Sequence, residues 1–236
     1  MLFEVDASAT YILENFTYEL PPSQLSGNTS LQIVNAGWDW YWGTTRAAQG
    51  ITTGDNGAGY MLTAVTIKLA NSIGVPERFS IQIFSEENGR PGAFVESLTG
   101  EQSPVLAGRY SYASDGDLWL APNTYYYVVA SAPLASPSPP PFLFAEALWH
   151  KSEIFRYDSS DGWEVHPGGY FSHNDGPWQI NCCSGPMVLG IEATPLPVPE
   201  PPAYASLGIG LIIMAGQSAR RRLRGDGRDA AKHRGC

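Results

Sequence analysis

Apolar and polar residues alternate along short stretches of the first 195 residues, a spacing that places successive side chains on opposite faces of a β-strand. In the clearest stretch, residues 60–69, we expect the more apolar face to lie against the core. That face carries Met61, Thr63, Val65, Ile67 and Leu69. Residues 79–84 repeat the pattern, with Phe79, Ile81 and Ile83 on the apolar face. Residues 125–130 are mostly aromatic or β-branched and predict a further strand.

Turn-forming residues separate these stretches. Asn88–Gly92 and Ala121–Thr124 contain Gly, Pro or Asn at positions where special backbone angles are needed. Strands at such spacing, without alternating helices, favour an antiparallel sandwich over a parallel sheet with crossover helices. We therefore predict an all-β, antiparallel β-sandwich over residues 1–194.

The pattern changes after residue 194. Prolines at 195, 197, 199, 201 and 202 predict an extended linker over 195–202. Residues 203–219 carry no charge and predict a short transmembrane helix, since the uncharged run of 18 residues from Pro202 to Ala219 would span about 27 Å as a helix. Residues 220–236 form a basic tail, which favours a cytoplasmic C-terminus and places the preceding body across the membrane. The alternative is a buried core helix followed by a basic tail.

Charge is divided along the chain in the same way. The net charge is −9 over 236 residues, and 43% of the residues are hydrophobic, enough to build a core. Seven basic residues against two acidic ones give the segment after residue 219 a net charge of +5, which leaves −14 on residues 1–219. Such an acidic body would repel phosphate backbones, so nucleic acid is not an expected partner.

The C-terminal segment resembles a PEP-CTERM sorting signal. The resemblance rests on Val198, Pro199, Glu200 and Pro201, followed by the uncharged run and a basic cluster. The cluster consists of Arg220, Arg221, Arg222 and Arg224. The resemblance implies recognition and cleavage near the motif by exosortase, a membrane-embedded cysteine protease. It also implies a Gram-negative bacterium that makes extracellular polysaccharide, with the protein exported, transiently anchored in the inner membrane and then passed to the cell surface or beyond.

Export requires a signal that the first residues do not supply. Residues 1–6 lack a basic segment, and Glu4 and Asp6 interrupt any apolar run. We expect the true start to lie upstream of Met1, with a signal peptide; the alternative is that the C-terminal segment alone directs insertion.

The middle of the chain resembles a choice-of-anchor R domain over roughly residues 30–195. The resemblance rests on 59–69, 80–84, 88–92 and 120–126. It implies an extracellular sandwich of jelly-roll type and supplies no catalytic residues.

The most unusual part of the body is Trp38-Asp39-Trp40-Tyr41-Trp42. Exposed Trp and Tyr rings can stack on sugar rings, so Trp38, Trp40, Tyr41 and Trp42 are candidate ligand-binding residues for an extracellular polysaccharide. The alternative is a single strand whose alternation places Trp38, Trp40 and Trp42 together against the core.

Other motifs predict no chemistry. Residues 158–162 and 115–117 contain Asp and Gly in a spacing that favours turns over calcium sites. Residues 54–59 lack the lysine of a phosphate-binding loop and predict a hairpin loop. His166 and His173 lie in a Gly- and Pro-rich stretch that predicts a loop rather than a zinc site. We therefore expect a non-enzymatic protein without metal or cofactor; a hydrolase with an unrecognised site remains a third hypothesis.

Overall fold

A computed structural model of the chain describes residues 11–16, 30–38, 41–73, 78–116, 118–132, 145–150, 157–173, 175–181 and 186–198. These residues form β-strands and contain no α-helix. The strands are β1 (Leu13–Glu14), β2 (Ser30–Trp38), β3 (Tyr41–Thr52), β4 (Tyr60–Ile73), β5 (Ser80–Glu87), β6 (Arg90–Leu98), β7 (Gly108–Ala113), β8 (Trp119–Leu120), β9 (Tyr125–Ser131), β10 (Ala145–His150), β11 (Asp158–Ser159), β12 (Glu164–His173), β13 (Gln179–Asn181) and β14 (Leu189–Pro195). The prediction of an all-β fold is confirmed.

The strands form two antiparallel sheets. We call the first the β4 sheet, and its strands β11-β1-β14-β4 pair in that order. Strand β10 pairs with the C-terminal part of β4, residues 69–73, and β2 pairs with β10. Strands β7 and β8 pair with the other edge of β4. The second, the β9 sheet, runs β13-β12-β3-β9-β5-β6. Strand β3 joins them, because its first residues pair with β2 and the rest pair with β12 and β9.

The main core is built from the inward positions of both sheets. Its largest fully buried side chains are Trp149, Trp163, Tyr60, Tyr112 and Phe79. Burying one large apolar side chain stabilises a fold by about 1.5–3 kcal/mol. These rings therefore account for a substantial part of the stability of the described body.

Two buried amides hold the start of β14. Gln49 of β3 accepts a hydrogen bond from the Met187 amide at 2.7 Å, and Asn15 donates to the Met187 carbonyl at 2.9 Å. Asn15 also accepts from the Leu189 amide at 2.8 Å. Because buried polar groups are costly when unpaired, these bonds fix where β14 enters the β4 sheet.

A β-bulge changes which face of β4 points inward. Ala64 pairs with Glu192 while Leu62 pairs with Ala193, so Thr63 is an extra residue on β4. Val65, Ile67 and Leu69 are buried as expected, whereas Thr63 is exposed and Leu62 is buried in its place. The expectation that Met61 and Thr63 face the core is wrong, because a one-residue insertion moves the preceding residues to the opposite face.

The connections confirm one turn and correct one loop. Asn88 and Gly89 both have positive φ, at 54° and 75°, and close the β5–β6 hairpin as a two-residue turn. Residues 53–59 do not close a hairpin, because β3 continues into the β9 sheet whereas β4 belongs to the other one. This loop instead carries the chain from one sheet to the other.

Strand β14 ends at Pro195, the first residue of the predicted linker. Pro195 ends β14 in register with Tyr60, and the Leu196 amide donates to the Gly59 carbonyl at 3.0 Å. The chain divides into two compact units, Met1–Leu196 and Pro197–Cys236. The predicted helix over 203–219 and the basic tail lie outside the described residues. Within the described ranges, no helix has the length and apolar character needed to cross a membrane.

Candidate functional site

The Trp38–Trp42 stretch is a chain reversal. Trp38 is the last residue of β2 and pairs with Tyr41, the first residue of β3, while Gly37 pairs with Trp42. Trp40 lies outside the described residues. The expectation of one strand with Trp38, Trp40 and Trp42 on a common face is therefore wrong, because one strand ends and the next begins inside the motif.

A different set of aromatic side chains lies on the outer face of the β9 sheet. We call this set the aromatic band; it consists of Phe94, Phe84, Tyr127, Tyr125, His166 and Tyr170. The cross-strand register aligns its centre, since Phe84 pairs with both Phe94 and Tyr127, and Tyr127 pairs with Gly50. The band thus crosses neighbouring strands instead of following one strand.

Two small residues of β3, Ala48 and Gly50, make room for these rings. They belong to the outward positions of β3, which are Arg46, Ala48, Gly50 and Thr52. The alternate positions, Ala47, Gln49 and Ile51, face the main core. The ring of Tyr125 lies directly over Gly50: a Cβ atom there would be 2.8 Å from Cε1 and Cζ of Tyr125. Glycine at position 50 is therefore what allows the Tyr125 ring to approach the β3 backbone this closely.

A bulge in β12 brings His166 to the band. Val165 pairs with Ile51 and Gly169 with Gln49, so three residues of β12 stand opposite Gly50. Gly168 adopts φ +84° within this bulge, and Gln49 donates to the His166 carbonyl at 2.8 Å. Bulges re-aim side chains, and here the imidazole is placed 4.0 Å from the Tyr125 ring.

The band is held together by ring contacts and by hydrogen bonds at its polar tips. Phe84 meets Phe94 edge to face at 5.8 Å, and Tyr127 meets Tyr170 at 5.4 Å. The Tyr127 hydroxyl donates to the Gly89 carbonyl at 2.7 Å, which ties the β5–β6 turn to the band. The His166 imidazole is hydrogen-bonded through Nε2 to the Thr52 hydroxyl at 2.6 Å. These contacts fix the orientation of the rings in advance of any ligand.

One corner of the β9 sheet adds a cation and a further ring. The Arg46 guanidinium lies 4.9 Å from the centre of the Trp178 ring, and its Nε is 3.3 Å from Asp175 Oδ1. Asp175 is 77% exposed, so solvent weakens this ion pair. The stacking on Trp178 is the more important restraint on Arg46.

Burial favours the neutral forms of three side chains of the band, His166, Tyr125 and Tyr127. Burial lowers the pKa of His166, and the nearby Glu164 carboxylate opposes that shift only in part. Burial also raises the pKa of Tyr125 and, more strongly, that of Tyr127. At neutral pH these three side chains are therefore uncharged.

Access to the band is graded. Phe94 is 56% exposed, Tyr125, Tyr170 and His166 are partly exposed, and Tyr127 is buried beneath its neighbours. A ligand on this face would thus contact ring surfaces that already have fixed positions.

Within the described ranges, no group of three or more His, Cys, Asp or Glu side chains comes together in a way that could hold a metal ion. Asp161 and Gly162 both have positive φ, which confirms the predicted turn at 158–162. His166 and His173 lie on β12, so the prediction that they occupy a loop is wrong.

Sequence reasoning missed the aromatic band, although part of its signal is present. In Tyr125-Tyr126-Tyr127, alternation places the first and third tyrosines on one face. Which face lies outward, and that Gly50 and His166 lie beside it, depends on pairing between distant strands.

No family model, curated protein or solved structure matches this chain.

Proposed function

We propose that the chain is a non-enzymatic protein of the cell surface or extracellular matrix, with a jelly-roll-like sandwich as its displayed part. Its C-terminal segment acts as a sorting signal: a proline-rich linker, a transmembrane helix and a basic stop. An exosortase-type protease cuts near Val198–Pro201 after the helix has held the protein transiently in the inner membrane.

The observation that carries this proposal is where the motif falls along the chain: only Pro197 separates Val198 from Leu196, the last residue of the first compact unit. Leu196 is still bound to that unit, because its amide donates to the Gly59 carbonyl and its carbonyl accepts from the Asn56 side chain at 2.9 Å. Val198, the first residue of the motif, is 60% exposed. A protease needs an accessible backbone, and the exposure of Val198 meets that need at the start of the motif. Cleavage within the motif would remove no residue of the unit Met1–Leu196.

The experiment compares the mass of the mature protein in cells that carry the sorting machinery. We expect the parent chain to lose its C-terminal piece and the Glu200→Ala, Pro201→Ala variant to retain it. The control changes Pro139 and Pro140 to alanine in the internal proline-rich stretch, which lies far from the motif in sequence, and should be processed like the parent. An uncut mass in the cytosol for all three chains would refute the proposal.

A further inference from the structure

We propose that the aromatic band is a binding surface for an uncharged polysaccharide. This inference goes beyond surface display, and it places carbohydrate contact on the β9 sheet instead of at Trp38–Trp42.

The chemistry of the band fits a sugar ring better than a purely apolar ligand. A pyranose presents C–H groups on its faces and hydroxyl groups around its edge. The Phe94 and Tyr125 rings offer flat surfaces for the C–H groups. Near the Tyr125 end, the Tyr170 hydroxyl and the His166 imidazole, whose Nε2 is bonded to Thr52, offer hydrogen-bonding groups. Aromatic rings with polar tips are suited to ligands that are apolar on one side and polar on another.

The shape of the band favours a chain over a single sugar. The band crosses β6, β5, β9, β3 and β12. Four strand spacings amount to about 19 Å, which accommodates several consecutive sugar units. Because the rings are fixed by mutual contacts, little side-chain entropy is lost when a ligand binds.

Charge selects among polysaccharides. Glu86 and Glu87 are exposed at the hairpin end of β5, where Arg90 stands opposite Glu87 and Glu86 is near enough to Tyr125 to raise the pKa of its hydroxyl. Glu164 is exposed and acts in the same way on His166. Arg46 is already matched by Asp175 and Trp178. With a net charge of −14 on residues 1–219, an acidic polymer would be repelled, as would a second copy of this chain. An uncharged polymer meets no such barrier.

The test is affinity electrophoresis of the full chain in gels containing one polymer each. The probes are hydroxyethylcellulose, galactomannan and dextran, which are uncharged, and polygalacturonate, which is anionic. We expect at least one uncharged polymer to retard the parent chain and polygalacturonate to retard it less. Phe94→Ala should weaken that binding about tenfold, or about 1.4 kcal/mol, and Phe94→Trp should restore it.

The matched control is Trp119→Ala, which removes a 51% exposed aromatic residue from the β4 sheet and should leave retardation unchanged. Trp40→Ala tests the Trp38–Trp42 stretch. If the Trp40→Ala variant lost binding to the uncharged polymer while the Phe94→Ala variant bound it like the parent, the proposal would be overturned in favour of Trp38–Trp42. Absence of retardation by all three uncharged polymers would overturn it as well. Because purified chain is used, neither result depends on cleavage of the C-terminus.

Discussion

The molecule contains two aromatic clusters of similar internal geometry and different surroundings. In the core, Tyr60 and Trp163 meet at 5.0 Å and 76°; in the band, Tyr127 and Tyr170 meet at 5.4 Å and 90°. The first pair lies within the main core, between inward positions of the two sheets. The second belongs to a layer with no described sheet over it. Ring geometry alone therefore does not separate a core from a surface; what covers the rings does.

Strand β9 supplies both clusters. Tyr126 belongs to the main core, whereas Tyr125 and Tyr127 belong to the band. The same residue type thus fills the main core on one face and, at Tyr125, stays partly exposed on the other.

The largest expected effect comes from emptying the core. Trp149 is fully buried and donates its indole N–H to the Val188 carbonyl at 2.9 Å. Trp149→Ala should lower the free energy of unfolding by about 3–5 kcal/mol, because it leaves a cavity and removes one of the two hydrogen bonds that the Val188 carbonyl accepts, the other coming from the Lys68 amide at 3.3 Å. Urea unfolding measures the change. Phe94→Ala, the matched change in the band, should cost less than about 1 kcal/mol; equal losses would erase the distinction between the two clusters.

A smaller effect is expected where the band meets the sheet. Gly50→Ala places a methyl group in the Tyr125 ring and should cost about 1–3 kcal/mol in the free energy of unfolding. Gly57→Ala is the control, since a Cβ at Gly57 meets no atom within 4 Å. If the clash with the Tyr125 ring is the cause, Gly50→Ala should cost little stability when it is made in a chain that already carries Tyr125→Ala. If the double variant instead lost the sum of the two single losses, the cost of Gly50→Ala would have another cause.

The smallest expected effect is a pH dependence. Because burial lowers the pKa of His166 in the folded state, the unfolded chain binds more protons once the pH falls below about 6.5. His166 therefore contributes a stability that is present above that pH and is lost as the pH falls. The measurement is the difference between the urea midpoints at pH 7.5 and at pH 5.5. This difference should be smaller in the His166→Gln variant than in the parent chain. An equal difference in both chains would show that folding does not change the proton binding of this imidazole.

Sequence patterns predicted what depends on neighbouring residues. The alternation at Phe79, Ile81 and Ile83 predicted the buried face correctly. The composition of residues 88–92 predicted a turn, which the structure confines to Asn88 and Gly89. The alternation failed at Thr63, where the extra residue is evident only from the pairing with β14. It failed again at Trp38–Trp42, where a reversal replaced a strand.

The band could not have been assembled in the same way. Tyr125, Gly50 and His166 come from three separate strands, and the bulge that turns His166 toward Tyr125 is defined by pairing with β3. A sequence pattern can report that a strand is aromatic on one face, but not which residue from another strand will lie beneath that face.

The attachment of Leu196 has a mechanical consequence. Any pull on the chain beyond this residue enters the body along β14, which is paired with β4 over Leu189–Pro195 and with β1 at its other edge. When that pull runs parallel to β14, the load acts along the ladder, so its hydrogen bonds resist sliding together instead of opening one after another. A body tethered by this end would transmit tension through a strand that is paired on both edges at Gly190 and Ile191.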